Sequence, residues 1–200
     1  PQPDSIQPIL LSLQTGGRGI EPSPLDSLPD LSPPDPVLVE QLTAKGIKVI
    51  PVASGKHQVI ISAVNDPAFD DEDARLVATL GERVWQLKLG RTRITDSAMI
   101  HLGTLSGLRQ LHLEHTAVGN AGLPHLRGCR QLRYLSLVGT QVTDEGLALL
   151  AGLPALEKVY VYHTAVTATG VDQLKAANAR LTVDTGRYQL PALPTDSVVY

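Results

Sequence analysis

The chain has 200 residues, 42% of them hydrophobic, enough for one sizeable core or one domain with extended ends. A formal net charge of −3 gives no basic stripe of the kind phosphate recognition needs, so neither nucleic acid nor an anionic membrane surface is an expected partner. The single cysteine, Cys129, excludes an internal disulfide and any cysteine-based zinc cluster, and the apolar runs are strand-sized, far too short to insert in a membrane.

Residues 1–36 hold nine of the fifteen prolines, with Gly16, Gly17 and Gly19 among scattered Ser and Asp. Proline fixes φ and removes a donor, so residues 1–35 read as an extended linker, with Ile9, Leu10, Leu11 and Leu13 available to lie across a neighbouring surface. The Gly-Gly-Arg-Gly turn lacks the Gly-Lys-Ser/Thr ending of a phosphate loop. Because the chain begins with Pro1 rather than Met, it is expected to be a piece of something longer, and a missing targeting signal says little about compartment.

Residues 36–83 read as a small α/β cap joined to a degenerate first repeat. A helix is expected from Pro36 through Leu38, Val39 and Leu42, with Asp35 as its cap. Two strands follow, at residues 48–52 and 58–64, separated by Ser54-Gly55-Lys56. The run Asp70-Asp71-Glu72-Asp73 lacks the alternating ligands and glycine of a calcium loop; its expected role is to complement the positive end of a helix dipole. Phe69, Ala74, Val77 and Leu80 fill apolar slots that recur more regularly downstream.

From Val84 onward the chain repeats itself at a step of 24. The registers VWQLKLGRTRITDSAMIHLGTLSG, LRQLHLEHTAVGNAGLPHLRGCRQ, LRYLSLVGTQVTDEGLALLAGLPA and LEKVYVYHTAVTATGVDQLKAANAR begin at Val84, Leu108, Leu132 and Leu156, the last being one residue longer. Positions four and six (Leu87/Leu89, Leu111/Leu113, Leu135/Leu137, Val159/Val161) alternate with mostly polar neighbours and point inward from a short parallel strand. Thr92, Thr116, Thr140 and Thr164 recur at position nine, where stacked hydroxyls can satisfy the backbone of the turn as a ladder. Ile94, Val118, Val142 and Val166 follow, then the helix-capping types Thr95-Asp96, Asn120, Thr143-Asp144 and Thr167. Met99/Leu102/Leu105, Leu123/Leu126/Cys129, Leu147/Leu150/Leu153 and Val171/Leu174/Ala177 are spaced as the buried stripe of a short outer helix. One such unit buries five or six apolar side chains at about 1.5–3 kcal/mol each, less than the ordering of its backbone costs, so only stacking stabilises the array.

L-x-x-L-x-L at this period is the strand of a leucine-rich repeat. The fold expected is therefore an α/β leucine-rich-repeat solenoid over residues 84–186: a curved parallel sheet with short outer helices, an α/β N-terminal cap, and an extended tail over 187–200. The wording T-x-V-T-D-x-G-L-x-x-L resembles bacterial leucine-rich repeats of Planctomycetes-like and Bacteroidetes-like proteins, related in style to ribonuclease-inhibitor and F-box-associated repeats. More narrowly, residues 36–186, with GIKVIPV, VWQLKLGRT, LRQLHLEHTAV and the closing VDTG, resemble a module that follows a c-type cytochrome domain in some membrane-associated proteins of those groups. The resemblance implies an extracytoplasmic, periplasmic or cell-surface, interaction module. Haem does not carry over, because no C-x-x-C-H occurs here.

No Ser/His/Asp or paired-carboxylate arrangement can be assembled from the pattern, so no catalytic residue is assigned and no enzymatic activity is expected. Cys129 occupies the slot of Leu105, Leu153 and Ala177 and reads as a small core residue. His101 and His125 share one helical position on the outer surface. Parity displays Gln86, Lys88 and Gly90, then Gln110, His112 and Glu114, then Tyr134, Ser136 and Val138, then Lys158, Tyr160 and Tyr162 on the concave face, with His115 and His163 at its rim. Lys88, His112, Glu114, Tyr134, Tyr160, Tyr162 and His163 are the candidate partner-binding residues, since tyrosine offers large contact area with a polar handle. His112 and His115 also offer a pair of metal-ligand types, but no metal or cofactor is assigned to this segment. The expected function is a non-catalytic protein-interaction or assembly module of an extracytoplasmic bacterial protein. The alternatives are a structural subunit that self-associates through its termini and, from the resemblance alone, an accessory domain of a c-type cytochrome-containing membrane complex.

Overall fold

The computed structural model describes residues 28–186, and the expectations for the linker over 1–27 and the tail over 187–200 lie outside the described residues. The chain divides into two compact units, Pro1–Asp30 and Leu31–Tyr200, and every repeat falls in the second. Helix α1 spans Pro36–Ala44; the Asp35 carboxylate accepts from the Val37 amide at 2.9 Å, and Pro36 occupies the first turn, where its missing N–H has no partner to lose. Strands β1 (Lys48–Pro51) and β2 (Val59–Ser62) pair antiparallel. The α/β cap is not a separate layer, because β2 also pairs in parallel with the first repeat strand, through a bulge at Val59/Ile60.

The repeat strands β3 (Val84–Lys88), β4 (Gln110–His112), β5 (Tyr134–Ser136) and β6 (Lys158–Tyr160) follow in parallel, and β7 (Thr182–Asp184) closes a seven-stranded sheet whose spatial order is its chain order. Leu87, Leu111, Leu135, Val159 and Val183 face one another across four successive pairings, so the chain is a leucine-rich-repeat solenoid. The fourth register, counted as 25 residues in the sequence, still pairs at a step of 24; its extra residue is taken up before the strand, where Leu181 is buried.

Leu87, Leu89, Leu111, Leu113, Leu135, Leu137 and Val159 are all 0% exposed, and they form one core with the helical side. The outer elements are α2 (Asp71–Ala78), α3 (Asp96–Leu102), a 3₁₀ helix (Leu123–Gly128), α4 (Asp144–Leu149) and α5 (Ala168–Ala177). The second repeat thus departs from the expected α-helix. Pro124 lacks the N–H of an α-helical ladder and Gly122 precedes it, so the tighter turn wins. Ala177 also departs from the buried stripe: it is exposed at the end of α5. The Asp70 run behaves as expected, forming a capping box in which Asp70 accepts from the Glu72 and Asp73 amides while Asp73 accepts from the Asp70 amide and pairs with Lys45.

The four threonines do satisfy the turns, but not as a ladder between them. Each hydroxyl donates back to the carbonyl three residues earlier in its own turn, Thr92 to Leu89 at 2.7 Å, Thr116 to Leu113 at 2.8 Å and Thr140 to Leu137 at 2.6 Å, with Thr164 doing the same to Val161. The links between repeats lie one step further on. The Asp71 carboxylate accepts from the Thr95 amide and hydroxyl at 2.8 and 2.6 Å, Asp96 from the Gly119 amide at 2.7 Å, and Asp144 from the Thr167 amide and hydroxyl at 2.8 and 2.6 Å. Asn120 accepts from the Thr143 amide at 2.9 Å and donates Nδ2–H to its hydroxyl at 2.7 Å. Of the expected capping residues, Asp96, Asn120 and Asp144 thus hold the following repeat, while Thr95 and Thr167 do cap their own helices, accepting from the Ser97 and Gly170 amides. The recurrence of Gly122, Gly146 and Gly170 at steps of 24 has the same cause: a Cβ on Gly146 would stand 2.2 Å from Asn120 Oδ1, and one on Gly170 2.1 Å from Asp144 Oδ1.

Candidate functional site

The sheet face opposite the helices carries the side chains that parity placed there, and the register decides which of them meet. Gln110, Tyr134 and Lys158 are in line across β4, β5 and β6, as are His112, Ser136 and Tyr160. His112, Tyr134 and Tyr160 are therefore diagonal neighbours, a separation aromatic side chains can bridge. Their rings do so: the centroids of His112 and Tyr134 are 4.7 Å apart with planes at 33°, and those of Tyr134 and Tyr160 are 5.1 Å apart at 36°. Three strands thus carry one continuous tilted stack.

A hydrogen-bond chain fixes the first ring of that stack. Gln86 Nε2 donates to Gln110 Oε1 at 2.8 Å and stands 3.1 Å from His112 Nε2, while His112 Nδ1 is 3.1 Å from Glu114 Oε1. With one amide hydrogen directed to each neighbour, Gln86 makes His112 Nε2 an acceptor, which places the imidazole proton on Nδ1 facing Glu114. Burial alone would push the Glu114 carboxyl up, but the bonds from His112 and Ser136 outweigh it and hold the group below the usual carboxylate range. Tyr134, half-buried between two rings, has its phenol pushed up to about 12, first by burial and then by its neighbours Tyr160 and Glu114.

The remaining candidates flank this stack. Lys88 pairs in register with His112, and Lys158, exposed, with Tyr134. Tyr162 is 37% exposed and makes its ring contact with His163, edge-on at 5.6 Å and 68°, rather than with Tyr160. His163 and His115 both sit in left-handed backbone, φ 57° and 55°, at the turn leaving the strand. The same turn in the third repeat has Gly139, φ 65°, and a Cβ there would meet His115 Nδ1 at 2.4 Å, so glycine lets the His115 ring lie over the next repeat. His112 is engaged by Gln86 and Glu114 and not by His115.

Gln86, which contacts His112, and Gln110, which holds Gln86, belong to the site although parity alone marks them only as residues of this face. The signal available in the sequence was their recurrence at one slot, 24 residues apart. Cys129 is fully buried, its Sγ 3.4 Å from the Leu102 carbonyl, and burial pushes its thiol up to about 12, so it is a poor nucleophile. His125 is exposed and His101 partly so on the helical side. Among the described residues no group of three or more His, Cys, Asp or Glu is placed to hold a metal ion, and no helix is long and apolar enough to cross a membrane.

No family model matches the chain, and no curated protein matches it. Among solved structures it is similar to a leucine-rich-repeat protein of Leptospira interrogans, at 17% identity and a TM-score of 0.43, with 55% of this chain and 27% of that one covered. An internalin of Listeria monocytogenes gives 22% identity and a TM-score of 0.37 over 57% of this chain and 38% of that one. The leucine-rich-repeat ectodomain of a receptor kinase from Arabidopsis thaliana gives 13% and 0.43 over 70% of this chain and 77% of that one. The chain thus spans about a quarter to two fifths of the first two proteins.

Proposed function

We propose that this chain is a non-catalytic protein-interaction module that binds a protein partner through the concave, strand side of its solenoid. The observation that carries the reading is the stack of His112, Tyr134 and Tyr160, held by the Gln110–Gln86–His112–Glu114 chain. Rings already packed in one arrangement lose little entropy when a partner covers them, and tyrosine is among the residues that dominate interface energy. Lys88, Lys158, Glu114, Tyr162 and His163 frame the stack with both signs of charge and further aromatic edge, which suits a mixed protein surface better than a uniform polyanion. The likeness of VWQLKLGRT and LRQLHLEHTAV to the module that follows c-type cytochrome domains supports an extracytoplasmic bacterial setting, with the rest of such a membrane-associated complex as the partner.

Photocrosslinking in the native full-length protein tests this. With benzoylphenylalanine at Tyr160, a discrete adduct is expected that disappears when Tyr134→Ala and Tyr162→Ala are added; with the same probe at His125, no adduct is expected. Adducts at His125 and none at Tyr160 would move the binding surface to the helical side.

A further inference from the structure

The net charge of −3 conceals an uneven distribution of sign along the two edges of the solenoid. Where strands run into helices, the acidic side chains are engaged within the fold: Asp71, Asp96 and Asp144 each accept from the turn of the next repeat. The opposite edge, where helices run back into strands, is basic, with Arg109, Arg127, Arg130, Arg133 and Arg180 set against Glu82 and Glu157. Arg133 pairs with Glu157 at 2.8 Å, both side chains exposed. Among the described residues, the guanidinium groups of Arg109, Arg127, Arg130 and Arg180 have no carboxylate and no hydrogen-bond acceptor. Two of these arginines are in line. Arg109 and Arg133 hold the slot just before β4 and β5, in a row that starts at Trp85 and ends at Glu157; the amides of Arg109, Arg133 and Glu157 donate to the carbonyls of Trp85, Arg109 and Arg133, each at 2.9 Å. Neighbouring strands lie about 4.8 Å apart, so like charges in line oppose folding. Burial first, and then Arg133, hold the half-buried Arg109 guanidinium below its usual range. Beside Arg133 is a cavity of about 150 Å³ lined by Pro154, Leu156, Glu157, Asn178 and Arg180.

We propose that this edge is a second interaction surface, apart from the concave stack, and that it takes an acidic segment of a protein partner: Arg109 and Arg133 grip its carboxylates, and the cavity beside Arg180 seats one of them. A guanidinium presents a planar fork that binds a carboxylate through two parallel N–H bonds, which an ammonium does not, and the cations named on this edge are all arginine. The helix dipole accounts for Arg127, in the last turn of its 3₁₀ helix, but not for Arg109 and Arg133, which precede strands. Carboxylates on alternate residues of an extended peptide are about 6.5–7 Å apart, within reach of two long side chains that splay from adjacent strands. The exposed Arg133–Glu157 pair contributes little to stability, so an incoming carboxylate can take the place of Glu157. A nucleic acid suits the edge less well, because Glu82 and Glu157 bound the arginines and phosphate affinity depends on neutralising a longer run of charge.

Fluorescence anisotropy of the full chain with a fluorescein-labelled peptide of alternating Glu and Ala, at about 50 mM salt, tests this. Saturable binding is expected, weakened about tenfold or more by Arg109→Gln/Arg133→Gln and unchanged by Lys88→Gln/Lys158→Gln on the concave face. Absence of saturable binding up to about 1 mM peptide would overturn the proposal. An equal loss from the lysine changes would overturn it too, because the acidic chain would then lie on the concave face. So would tighter binding of an oligothymidylate that the same arginine changes abolish, since the partner would then be a nucleic acid. Should the double variant not fold, Arg133→Gln alone is read the same way, with an expected weakening of about threefold or more.

Discussion

Asn120→Ala probes the bonds that join one repeat to the next. The change removes the acceptor of the Thr143 amide at 2.9 Å and the donor to its hydroxyl at 2.7 Å, in the middle of the array. Each lost bond is worth about 0.5–1.5 kcal/mol net, and a partly buried N–H left unpaired adds to this, so a loss of about 2 kcal/mol is expected. Asn120→Asp is the informative comparison. A carboxylate at that position reproduces the rungs of Asp71 with Thr95 and Asp144 with Thr167, each of which accepts from an amide at 2.8 Å and a hydroxyl at 2.6 Å. Its expected cost is therefore under about 0.5 kcal/mol. Thr143 should also gain. At Thr95 and Thr167 the hydroxyl donates to the carboxylate and keeps its lone pairs for a helix amide, whereas at Thr143 the hydroxyl receives the Asn120 N–H and makes no cap bond. With Asp at 120 the Thr143 hydroxyl becomes a donor and can cap α4. Urea unfolding is the assay: at a slope of about 1–3 kcal/mol per molar, the alanine variant should lose roughly 1 M in midpoint and the aspartate variant little. Equal midpoints for the two variants, or a loss below about 0.5 kcal/mol for alanine, would refute the inter-repeat role.

Leu135→Ala, at a 0% exposed site in the central strand, should cost about 2–5 kcal/mol by denaturant unfolding. Gly146→Ala, whose Cβ would fall 2.2 Å from Asn120 Oδ1, should cost about 1–3 kcal/mol, whereas Gly152→Ala, with nothing within 4 Å, should be neutral or stabilising in the same assay. Cys129 should resist alkylation in the native protein at neutral pH and react readily in denaturant, as its buried thiol, pushed up to about 12, requires. Tyr134 holds its proton more tightly folded than unfolded, so the stability it contributes is complete below about pH 10 and is lost as pH rises toward 12; Tyr134→Phe should flatten alkaline unfolding and remove the latest phase of tyrosinate absorbance. Glu114 has the opposite sign: its folded pKa is depressed, so its contribution is present above the ordinary carboxylate range and lost as pH falls through the lower folded value, and Glu114→Gln should weaken the acid dependence of stability.

The two periods in this chain differ in what they reveal. A strand alternates its side chains with period two whatever the sequence around it, so once the step of 24 aligned the registers, parity alone sorted Leu135 inward and Tyr134 outward, and the structure agrees at both. Ring contacts need one further quantity, the register between strands, and because that register is also 24 from β3 to β7, the diagonal meeting of Tyr134 with Tyr160 is legible in the sequence. The bonds of Asp96, Asn120 and Asp144 are not. A side chain that caps its own helix and one that reaches across to the next turn are drawn from the same residue types, Asp, Asn, Ser and Thr, and only the distance between stacked turns decides between them. The chain does hold the discriminating clue: Gly122, Gly146 and Gly170 recur two residues after the capping position, where a helix cap asks for no glycine and an incoming side chain from the previous repeat does. Ala98 stands in that slot in the first repeat, after Asp71 of the degenerate copy, and Ala168 stands in the last repeat where Asp96, Asn120 and Asp144 accept from the next turn. Alanine is tolerated at 98 even though Asp71 still accepts from Thr95, because the Asp71 rung spans 24 residues where those of Asn120 and Asp144 span 23, whereas alanine at 168 removes the acceptor itself.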